Sequence, residues 1–341
     1  MAAKKLVIIS NLGTPEAPTA KAVKPYLREF LMDPYVIDKP FWFRFLLVNL
    51  IIAPLRSKKS AKAYQKVWTD QGSPLLVYTQ NLVKKMIPLL EGKFEIRLGM
   101  RYGQPSIKST RDNIPENIEE IYFLPLYPQY AESSTKTAID EFIKQFRDIN
   151  LPKYILKPFY KEDKFIHLES QIIQKEIDQF NPDYILFSYH GLPERHILKL
   201  DNTCGDCLKK DICRMKETDV CYRSHSFQTT DAIVNNLNLE LDYSTSFQSR
   251  LGKDPWIKPY TDNVIKEIAK NHKRVLVACP AFTSDCLETL EEIAMELKEE
   301  FLELGGEDLK LVPSLNDSDE WARTLISYLN DKDFFNKISN N

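Results

Sequence analysis

Residues Asp183 to Pro193 read DYILFSYHGLP, an apolar run that ends in a polar turn. The run Asp183–Ser188 is short, rich in β-branched and aromatic residues and not strictly alternating, which predicts a strand buried on both faces of a parallel sheet. Similar runs recur at Lys5–Ser10, Glu95–Met100, Glu120–Leu126, Leu241–Phe247 and Arg274–Cys279. Amphipathic helical patterns such as Lys161–Phe180 lie between them. Strand followed by helix, repeated, predicts a doubly wound α/β fold.

The predicted strands fall into two groups. A chain of 341 residues, at about 150 residues per domain, is long enough for roughly two domains. The stretch Asn150–Pro158 separates the groups. We therefore predict two similar α/β halves, residues 1–150 and residues 151–341, the second ending in a helix.

The composition excludes several classes of protein. With 43% hydrophobic and 28% charged residues, the chain is too apolar to stay disordered and too polar to be embedded in a membrane. A net charge of −2 gives no global attraction for nucleic acid. The apolar run Leu6–Ile9 is too short for a secretory signal, and no apolar run reaches the roughly 18 residues of a membrane span. We expect a cytoplasmic protein, in which clustered cysteines bind a metal rather than form disulfides.

Each predicted strand is followed by a segment rich in glycine, proline and polar or aromatic residues. In open α/β sheets ligands bind beyond the carboxyl ends of the strands, so we predict a shared cleft there. Its candidate apolar lining is Leu12, Tyr102, Tyr127, Tyr130 and Phe282. With Arg101 available for a carboxylate, this lining suits a large, flat, mostly apolar ligand that bears acid groups. The turn Gly13-Thr14 matches neither the dinucleotide nor the P-loop pattern, which argues against a dehydrogenase or a kinase.

His190 follows a predicted strand and precedes the turn Gly191-Leu192-Pro193. An imidazole exchanges protons near neutral pH, so a general base is its natural role. The alternative is a structural imidazole bonded to a neighbouring carbonyl group.

An acidic helix is predicted after Thr283. Asp285 as N-cap with Glu288 three residues later forms a capping-box pattern. Asp285, Glu288, Glu292 and Glu296 recur at helical spacing on one side. Like charges so placed cost a few tenths of a kcal/mol per pair. Either a row of oxygen ligands for a divalent cation or a solvated helix face accounts for them.

Taken together, these motifs resemble those of ferrochelatase, the enzyme that inserts Fe²⁺ into a porphyrin. The matching segments cover nearly the whole chain. They are Ser10–Pro15, Gly72–Leu75, Arg101–Tyr102, Tyr127–Tyr130, Ser188–Pro193, Phe247–Ser249, Pro255–Trp256, Phe282–Asp285 and Leu287–Leu290. The resemblance implies a chelatase-like α/β fold of two Rossmann-like halves, with the active-site cleft between them.

The resemblance also implies roles for individual residues. His190 and Glu288 would be catalytic and would contact the substrate Fe²⁺, while Asp285 and Glu292 would form the polar path for metal or protons. The implied porphyrin-binding residues are Asn11, Leu12, Arg101, Tyr102, Tyr127, Tyr130, Gln248, Trp256 and Phe282. Cys286 stands where many members of the family have histidine, so the role of that imidazole does not transfer.

Four cysteines form a separate motif. Cys204, Cys207, Cys213 and Cys221 have the spacing C-x2-C-x5-C-x7-C, which suits tetrahedral Zn²⁺ or an iron–sulfur cluster, and the spacing alone favours zinc. Some bacterial ferrochelatases carry an internal four-cysteine segment at this place that binds a [2Fe–2S] cluster, so the resemblance favours the cluster. His225 lies nearby but is surplus if all four thiolates bind. Cys279 and Cys286 are predicted to be buried thiols.

An apolar segment, residues 41–55, is followed by the basic residues Arg56, Lys58, Lys59 and Lys62. This pattern, over residues 41–62, is typical of a segment resting in a membrane interface, and a core-facing helix is the alternative. In the family the region resembles the lip of the porphyrin pocket. An apolar lip favours protoporphyrin IX over the more acidic coproporphyrin III.

We therefore predict a protoporphyrin ferrochelatase with a [2Fe–2S] cluster, associated peripherally with the inner membrane. A coproporphyrin ferrochelatase or another tetrapyrrole chelatase is the enzymatic alternative. A non-catalytic tetrapyrrole carrier or an iron–sulfur redox sensor is the alternative of another class. The sequence leaves a homodimer open.

Overall fold

The computed structural model describes residues 4–90, 92–200, 208, 218–250, 252 and 254–338. Its strands are β1 Lys4–Ser10, β2 Phe94–Leu98, β3 Ile118–Pro125, β4 Lys153–Leu156, β5 Tyr184–His190, β6 Asp242–Gln248, β7 Arg274–Ala278, β8 Asp308–Leu311 and β9 Phe335–Ile338. Its α-helices are α1 Ala20–Leu31, α2 Phe41–Leu46, α3 Ala53–Val67, α4 Pro74–Leu89, α5 Thr137–Phe146, α6 Asp163–Phe180, α7 Glu194–Leu198, α8 Tyr222–Leu237, α9 Thr261–Ile268, α10 Leu287–Leu290, α11 Lys298–Glu303 and α12 Asp319–Leu329. Leu47–Ile52, Glu132–Lys136 and Glu292–Leu297 are π-helical, and Lys108–Arg111 and Lys332–Phe334 are 3₁₀ turns.

The chain forms two compact units. Unit 1 contains residues 1–127, 132–157 and 316–341, and unit 2 contains residues 128–131 and 158–315. The predicted division at residue 150 differs from this one in three places. Residues 128–131, expected in the first half, belong to unit 2. The stretch Asn150–Pro158, expected to link the halves, contains β4, a strand of the unit 1 sheet. Residues 316–341, expected in the second half, belong to unit 1 because β9 pairs with β4.

The α/β fold class is confirmed, and both units have the same strand arrangement. The sheet of unit 1 has the order β2-β1-β3-β4-β9, and that of unit 2 has the order β6-β5-β7-β8. All pairings are parallel except that of β9 with β4. In each unit the first strand lies between the next two, so β1 and β5 are topological switch points, where ligands of open α/β sheets bind.

The six predicted strands are confirmed as β1, β2, β3, β5, β6 and β7. Burial explains why the sequences of β1 and β5 do not alternate. Residues Leu6 to Ser10 of β1 and Ile185 to Tyr189 of β5 are buried without interruption, since helices cover both faces of a parallel sheet. The strands β4, β8 and β9 were not predicted.

Each unit has its own apolar core. In unit 1, Phe123 of β3 stacks on Phe142 of α5 with ring centroids 4.5 Å apart. In unit 2, Ile293, Leu297 and Phe301 belong to the core that contains Val275 and Val277 of β7. The acidic helix is therefore anchored by its apolar side.

Helix α6 buries a carboxyl group. Glu169 is 5% exposed, and within the described residues its Oε1 has no hydrogen-bond partner. Burial, reinforced by the negative charge of Asp285, raises the pKa of Glu169 to about 8. A carboxyl group with this pKa is mostly protonated at neutral pH.

Replacing Glu169 by glutamine is expected to stabilise the protein at pH 7.5 and to change little at pH 5. The carboxyl group must stay protonated in the fold but ionises near its ordinary pKa of 4.5 when unfolded, so the wild type loses stability as pH rises between the two values. At ~1.4 kcal/mol per pKa unit the gain at pH 7.5 is on the order of 2–4 kcal/mol. Urea unfolding at both pH values measures it.

Glu176→Gln is the matched control on the same helix. It removes the 2.6 Å ion pair between Glu176 and Lys310, so it should not stabilise the protein. A gain for Glu169→Gln that is equal at pH 5 and pH 7.5 would contradict the assignment.

Candidate functional site at the strand ends

His190 is the last residue of β5, at the switch point of unit 2. Its Nδ1 lies 2.6 Å from the carbonyl oxygen of Gly191. A carbonyl only accepts hydrogen bonds, so Nδ1 carries the proton and Nε2 of the neutral ring keeps a lone pair. The predicted structural contact to a carbonyl is thus present, and it orients the ring as a base.

Gly191 allows three segments to meet beside His190. A Cβ atom at this position would lie 2.7 Å from the carbonyl oxygen of Gln248 and 3.1 Å from Cε3 of Trp256. The Trp256 ring centroid is 6.5 Å from that of His190. The close approach of backbone and indole requires glycine here.

Gln248 links the strand of His190 to the acidic helix. It is the last residue of β6 and is in register with His190 across the parallel pair. Its Oε1 accepts a hydrogen bond from Ser188 Oγ at 2.6 Å, and its Nε2 donates to the carbonyl oxygen of Glu288 at 2.9 Å. The structure therefore brings His190, Gln248 and Glu288 to the same edge of one sheet.

The predicted capping box of Asp285 and Glu288 is wrong by one residue. The N-cap of α10 is Cys286, whose backbone N–H donates to Thr289 Oγ1 at 3.0 Å. Asp285 is buried instead, and its Oδ1 accepts from Thr289 Oγ1 at 2.9 Å and from Ser314 Oγ at 3.1 Å. These hydroxyl groups engage the carboxylate away from the backbone N–H groups of the helix.

The row of acidic residues Asp285, Glu288, Glu292 and Glu296, here called the acidic row, continues into the π-helical segment Glu292–Leu297 and borders a pocket. Glu292, Glu296 and Glu300 line a cavity of about 330 Å³ together with Gln248 and Ser249. Asp285 and Glu288 are not among the described residues that line it. Burial, and then the negative charge of Glu288, raises the pKa of Glu292 to about 7, although the Ser249 hydroxyl group donates to its carboxylate. Glu292 can therefore hold or release a proton near neutral pH.

At the switch point of unit 1, the segment after β1 contacts the segment after β2. The Asn11 carbonyl accepts from the Arg101 N–H at 2.9 Å, and the Leu12 carbonyl accepts from the Tyr102 N–H at 2.8 Å. Gly13 has a φ of +110°, and a Cβ atom there would lie 1.8 Å from the Tyr102 carbonyl oxygen. The predicted residues Asn11, Leu12, Arg101 and Tyr102 are thus brought together.

Asp33 is a residue of this edge that sequence reasoning missed. Its buried carboxylate accepts from Arg101 Nη2 at 2.5 Å, from the Tyr102 hydroxyl group at 2.9 Å and from the Thr137 hydroxyl group. The sequence feature that could have pointed to Asp33 is its position between the apolar end of α1 and Pro34. Part of the Arg101 guanidinium is therefore used within unit 1, and its propionate contact stays a prediction.

The remaining predicted pocket residues lie in both units. Tyr127 of unit 1 is buried, and its hydroxyl group has no hydrogen-bond partner within the part of the chain that the structure describes. Tyr130 of unit 2 donates its backbone N–H to His225 Nδ1 at 3.2 Å. Phe282 is half-buried just after β7. Among the described residues, the buried Tyr127 hydroxyl group therefore lacks the hydrogen-bond partner that a buried polar group needs.

Two comparisons with known proteins identify the family. The Ferrochelatase family model matches residues 4–332. A ferrochelatase of Coxiella burnetii (strain Dugway 5J108-111) is 42% identical over 326 residues, which is 94% of this chain and 91% of the relative. The chain belongs to the ferrochelatase family. A ferrochelatase of Legionella pneumophila (strain Corby) is 43% identical over 333 residues, 96% of this chain and 98% of the relative.

A solved structure supports the fold of this ferrochelatase-family chain. SirB from Bacillus subtilis with Fe³⁺ has a TM-score of 0.52 and 10% identity, over 96% of this chain and 95% of SirB. At this identity the likeness concerns the fold alone. Family membership itself makes the protein a metal chelatase, so the predicted enzyme is confirmed in preference to a non-catalytic carrier or sensor.

The four-cysteine motif of this ferrochelatase-family chain lies largely outside the described residues. This holds for Cys204, Cys207 and Cys213. Cys221 is described and is the buried N-cap residue of α8. Within the described residues, no three His, Cys, Asp or Glu side chains form a group that could hold a metal ion. Cys279 and Cys286 are buried, as predicted, and burial raises the pKa of both thiols.

The predicted lip, residues 41–55, is helical and exposes eight large apolar side chains, while Val48 and Ala53 are buried. Their exposed fractions lie between 42% and 73%, for Phe41, Trp42, Phe43, Phe45, Leu46, Leu50, Ile51 and Leu55. The alternative of a core-facing helix is therefore wrong for these side chains. In the described part of the chain, no helix is both long and apolar enough to cross a bilayer.

Proposed function

We propose that this chelatase inserts Fe²⁺ into protoporphyrin IX with His190 as the general base. The observation that carries the proposal is the hydrogen bond between His190 Nδ1 and the Gly191 carbonyl group. It leaves Nε2 of the neutral imidazole as a proton acceptor at a topological switch point.

The reaction requires a base and a source of dehydrated metal. The free porphyrin holds two pyrrole N–H protons, and both must leave as Fe²⁺ takes the four nitrogens. His190 would accept a proton at Nε2 and pass it to solvent. Each proton removed leaves an electron pair on a pyrrole nitrogen for the metal.

The acidic row would serve the other half of the reaction. Carboxylates replace water around a hard divalent cation, so Glu288, with Asp285 and Glu292, would guide Fe²⁺ or carry protons away. The link from Gln248 to the Glu288 carbonyl supports this role because it places the row beside the strand of His190. A pKa of Glu292 of about 7 supports proton transfer as well.

Porphyrin binding is proposed for the predicted residues of both units. In unit 1 they are Asn11, Leu12, Arg101, Tyr102 and Tyr127, and in unit 2 they are Tyr130, Gln248, Trp256 and Phe282. The unpaired Tyr127 hydroxyl group supports the proposal, because a ligand would supply the partner that a buried hydroxyl group needs.

His190→Ala is expected to abolish metallation of protoporphyrin IX while porphyrin binding survives. The variant loses the proton acceptor but keeps the pocket, so the rate should fall by at least about 100-fold. The measurement is the absorbance change of the porphyrin with anaerobic Fe²⁺, paired with quenching of porphyrin fluorescence to report binding.

His272→Ala is the matched control. His272 lies just before the amino end of β7, whereas His190 lies at the carboxyl end of β5 in the same sheet. It should metallate at the wild-type rate. Near-normal turnover of His190→Ala would exclude His190 as the base. Faster wild-type turnover of coproporphyrin III than of protoporphyrin IX would overturn the proposed substrate.

We also propose that residues 41–62 rest on an anionic membrane surface. Eight large apolar side chains are exposed there, and the exposed cations Arg56, Lys58, Lys59 and Lys62 follow them in α3. Apolar insertion and attraction to anionic headgroups act together at such a surface. An apolar lip of this kind suits an apolar porphyrin delivered from lipid.

The wild-type protein is expected to co-float with vesicles that contain phosphatidylglycerol. The triple variant Trp42→Ser, Phe45→Ser and Leu50→Ser should lose most of this binding, because it removes apolar area that inserts into the interface. Ile87→Ser with Leu89→Ser is the control, since both side chains are exposed elsewhere in unit 1. Equal binding by the wild type and the triple variant would refute membrane docking of the lip.

The four cysteines are proposed to hold a [2Fe–2S] cluster. Four thiols within 18 residues can supply a complete Cys₄ ligand set, and the buried Cys221 at the start of α8 supports a fixed position for one of them. When bound, the cluster would supply a redox-active centre.

Porphyrin-free protein purified without oxygen is expected to be coloured by thiolate-to-iron charge transfer. Iron and sulfide analysis should give two of each per chain, as the cluster formula requires. Cys204→Ser should bleach the visible bands. A colourless protein with one bound zinc would show that zinc occupies the motif.

A further inference from the structure

His225 connects the end of the four-cysteine segment to a predicted porphyrin residue, both within unit 2. It is fully buried in the first turn of α8. Its Nδ1 accepts the Tyr130 backbone N–H at 3.2 Å, and its Nε2 lies 2.6 Å from the Thr218 carbonyl oxygen. Its ring stacks on Tyr160, with centroids 3.8 Å apart and planes 7° from parallel.

These contacts fix both the orientation and the tautomer of the ring. Nδ1 faces a donor and must accept, while Nε2 faces a carbonyl oxygen and must donate. A neutral imidazole satisfies both at once. The ring therefore acts as a rigid link between Thr218 and Tyr130.

The same turns of α8 contact other segments that carry predicted site residues. The His190 backbone lies near the Tyr222 hydroxyl group. Arg223 donates to the Lys258 carbonyl at 3.1 Å, in the segment that follows Trp256. Gln129 Nε2 donates to Thr229 Oγ1 at 3.0 Å, one turn beyond His225. The start of α8 thus contacts the segments of Tyr130, His190 and Trp256.

The start of α8 also ends the cysteine motif. Cys221 is its N-cap residue, and the His225 N–H donates to the Cys221 carbonyl at 3.0 Å. A displacement of Thr218 would act directly on a partner of the imidazole, and a displacement of Cys221 would act on the backbone of His225. Buried hydrogen-bonded networks of this kind resist small displacements of one member alone.

We propose that His225 is a positioning residue that holds Tyr130 for porphyrin binding and couples it to the four-cysteine segment. The proposal rests on the proposed porphyrin function. The state of the cysteines then changes the affinity for porphyrin, while the rate of metal insertion into bound porphyrin is largely unchanged.

Two substitutions separate the two contacts of His225. His225→Asn keeps an acceptor near the Nδ1 position, and His225→Gln keeps a donor near the Nε2 position. We expect His225→Gln to raise the Kd for protoporphyrin IX about tenfold, because the buried Tyr130 N–H loses its acceptor. His225→Asn should stay within about twofold of the wild type, as expected when that hydrogen bond is retained. The kcat of both should stay near the wild-type value.

Fluorescence quenching measures porphyrin binding without turnover, so it separates this proposal from the proposed function. If neither the wild type nor any variant metallates porphyrin, the proposed function fails, but the comparison of porphyrin affinities remains valid. His167→Gln on the exposed face of α6 is the control for a histidine-to-glutamine change. Wild-type affinity in His225→Gln, or a fall in kcat with unchanged Kd, would overturn the positioning role.

The coupling is tested by removing a cysteine in two backgrounds. Cys204→Ser should weaken porphyrin binding in the wild type but add nothing in His225→Asn, where the donor to Thr218 is lost. Additive effects in the two backgrounds would overturn the coupling. Iron content and visible absorption confirm the state of the motif in each protein.

If His225→Gln does not fold, a spectroscopic measurement on the wild type still tests the proposal. ¹⁵N NMR of labelled histidine should show the Nε2–H tautomer for His225, and its Nδ1 resonance should shift when protoporphyrin IX binds. An Nδ1–H tautomer, or no shift with saturating porphyrin, would overturn the proposal.

Discussion

The side chain of Gln248 determines how the predicted chemistry of unit 2 is arranged. The Ser188 hydroxyl group donates to its Oε1, so its amide nitrogen faces the carbonyl oxygen of Glu288. The parallel register of β5 and β6 sets His190 beside Gln248 at the same time. A buried amide with both ends satisfied has one stable orientation here, since reversal would set its oxygen against the Glu288 carbonyl oxygen, acceptor against acceptor. The start of the acidic helix is thereby fixed relative to the imidazole.

The acidic row has an electrostatic cost that its packing must offset. Glu291 is buried and Glu292 is half-buried, and the charge of Glu288 acts on Glu292. Like charges in a partly dry site destabilise the fold, and the pKa of Glu292 rises in response. On the opposite side of the helix, Ile293, Leu297 and Phe301 are buried in the core. The apolar side of the helix thus holds the acidic side in place, which is the usual relation between a stable scaffold and a strained functional site.

The two units show one scaffold carrying two kinds of chemistry. Both have their first strand between the next two, with functional segments at its carboxyl end. In unit 1 the charge of Arg101 is already paired with that of Asp33, whose carboxylate also accepts a hydrogen bond from the Tyr102 hydroxyl group. In unit 2 the base and the acids are less completely neutralised. Under the proposed function, unit 1 would therefore offer mainly shape and apolar surface, and unit 2 would offer proton and metal chemistry.

The sequence by itself determined the fold class, the six strands of five or more residues, and the polar segments that follow them. Uninterrupted apolar runs such as Leu6–Ile9 report burial on both faces, which is a local property of the chain. The strands β4, β8 and β9 have four residues each. Four residues are too few to show a recognisable hydrophobic pattern, so pairing with a neighbouring strand determines whether these segments form strands.

Only the tertiary structure decided which side chains meet. Three side-chain partners of Asp33 lie 68, 69 and 104 residues away, and those of His225 include Tyr130, 95 residues away. The shift of the helix cap from Asp285 to Cys286 likewise follows from Ser314, 29 residues beyond. Periodicity encodes how buried a residue is, but the identity of its hydrogen-bond partner depends on topology, because distant segments become neighbours only when the sheets form.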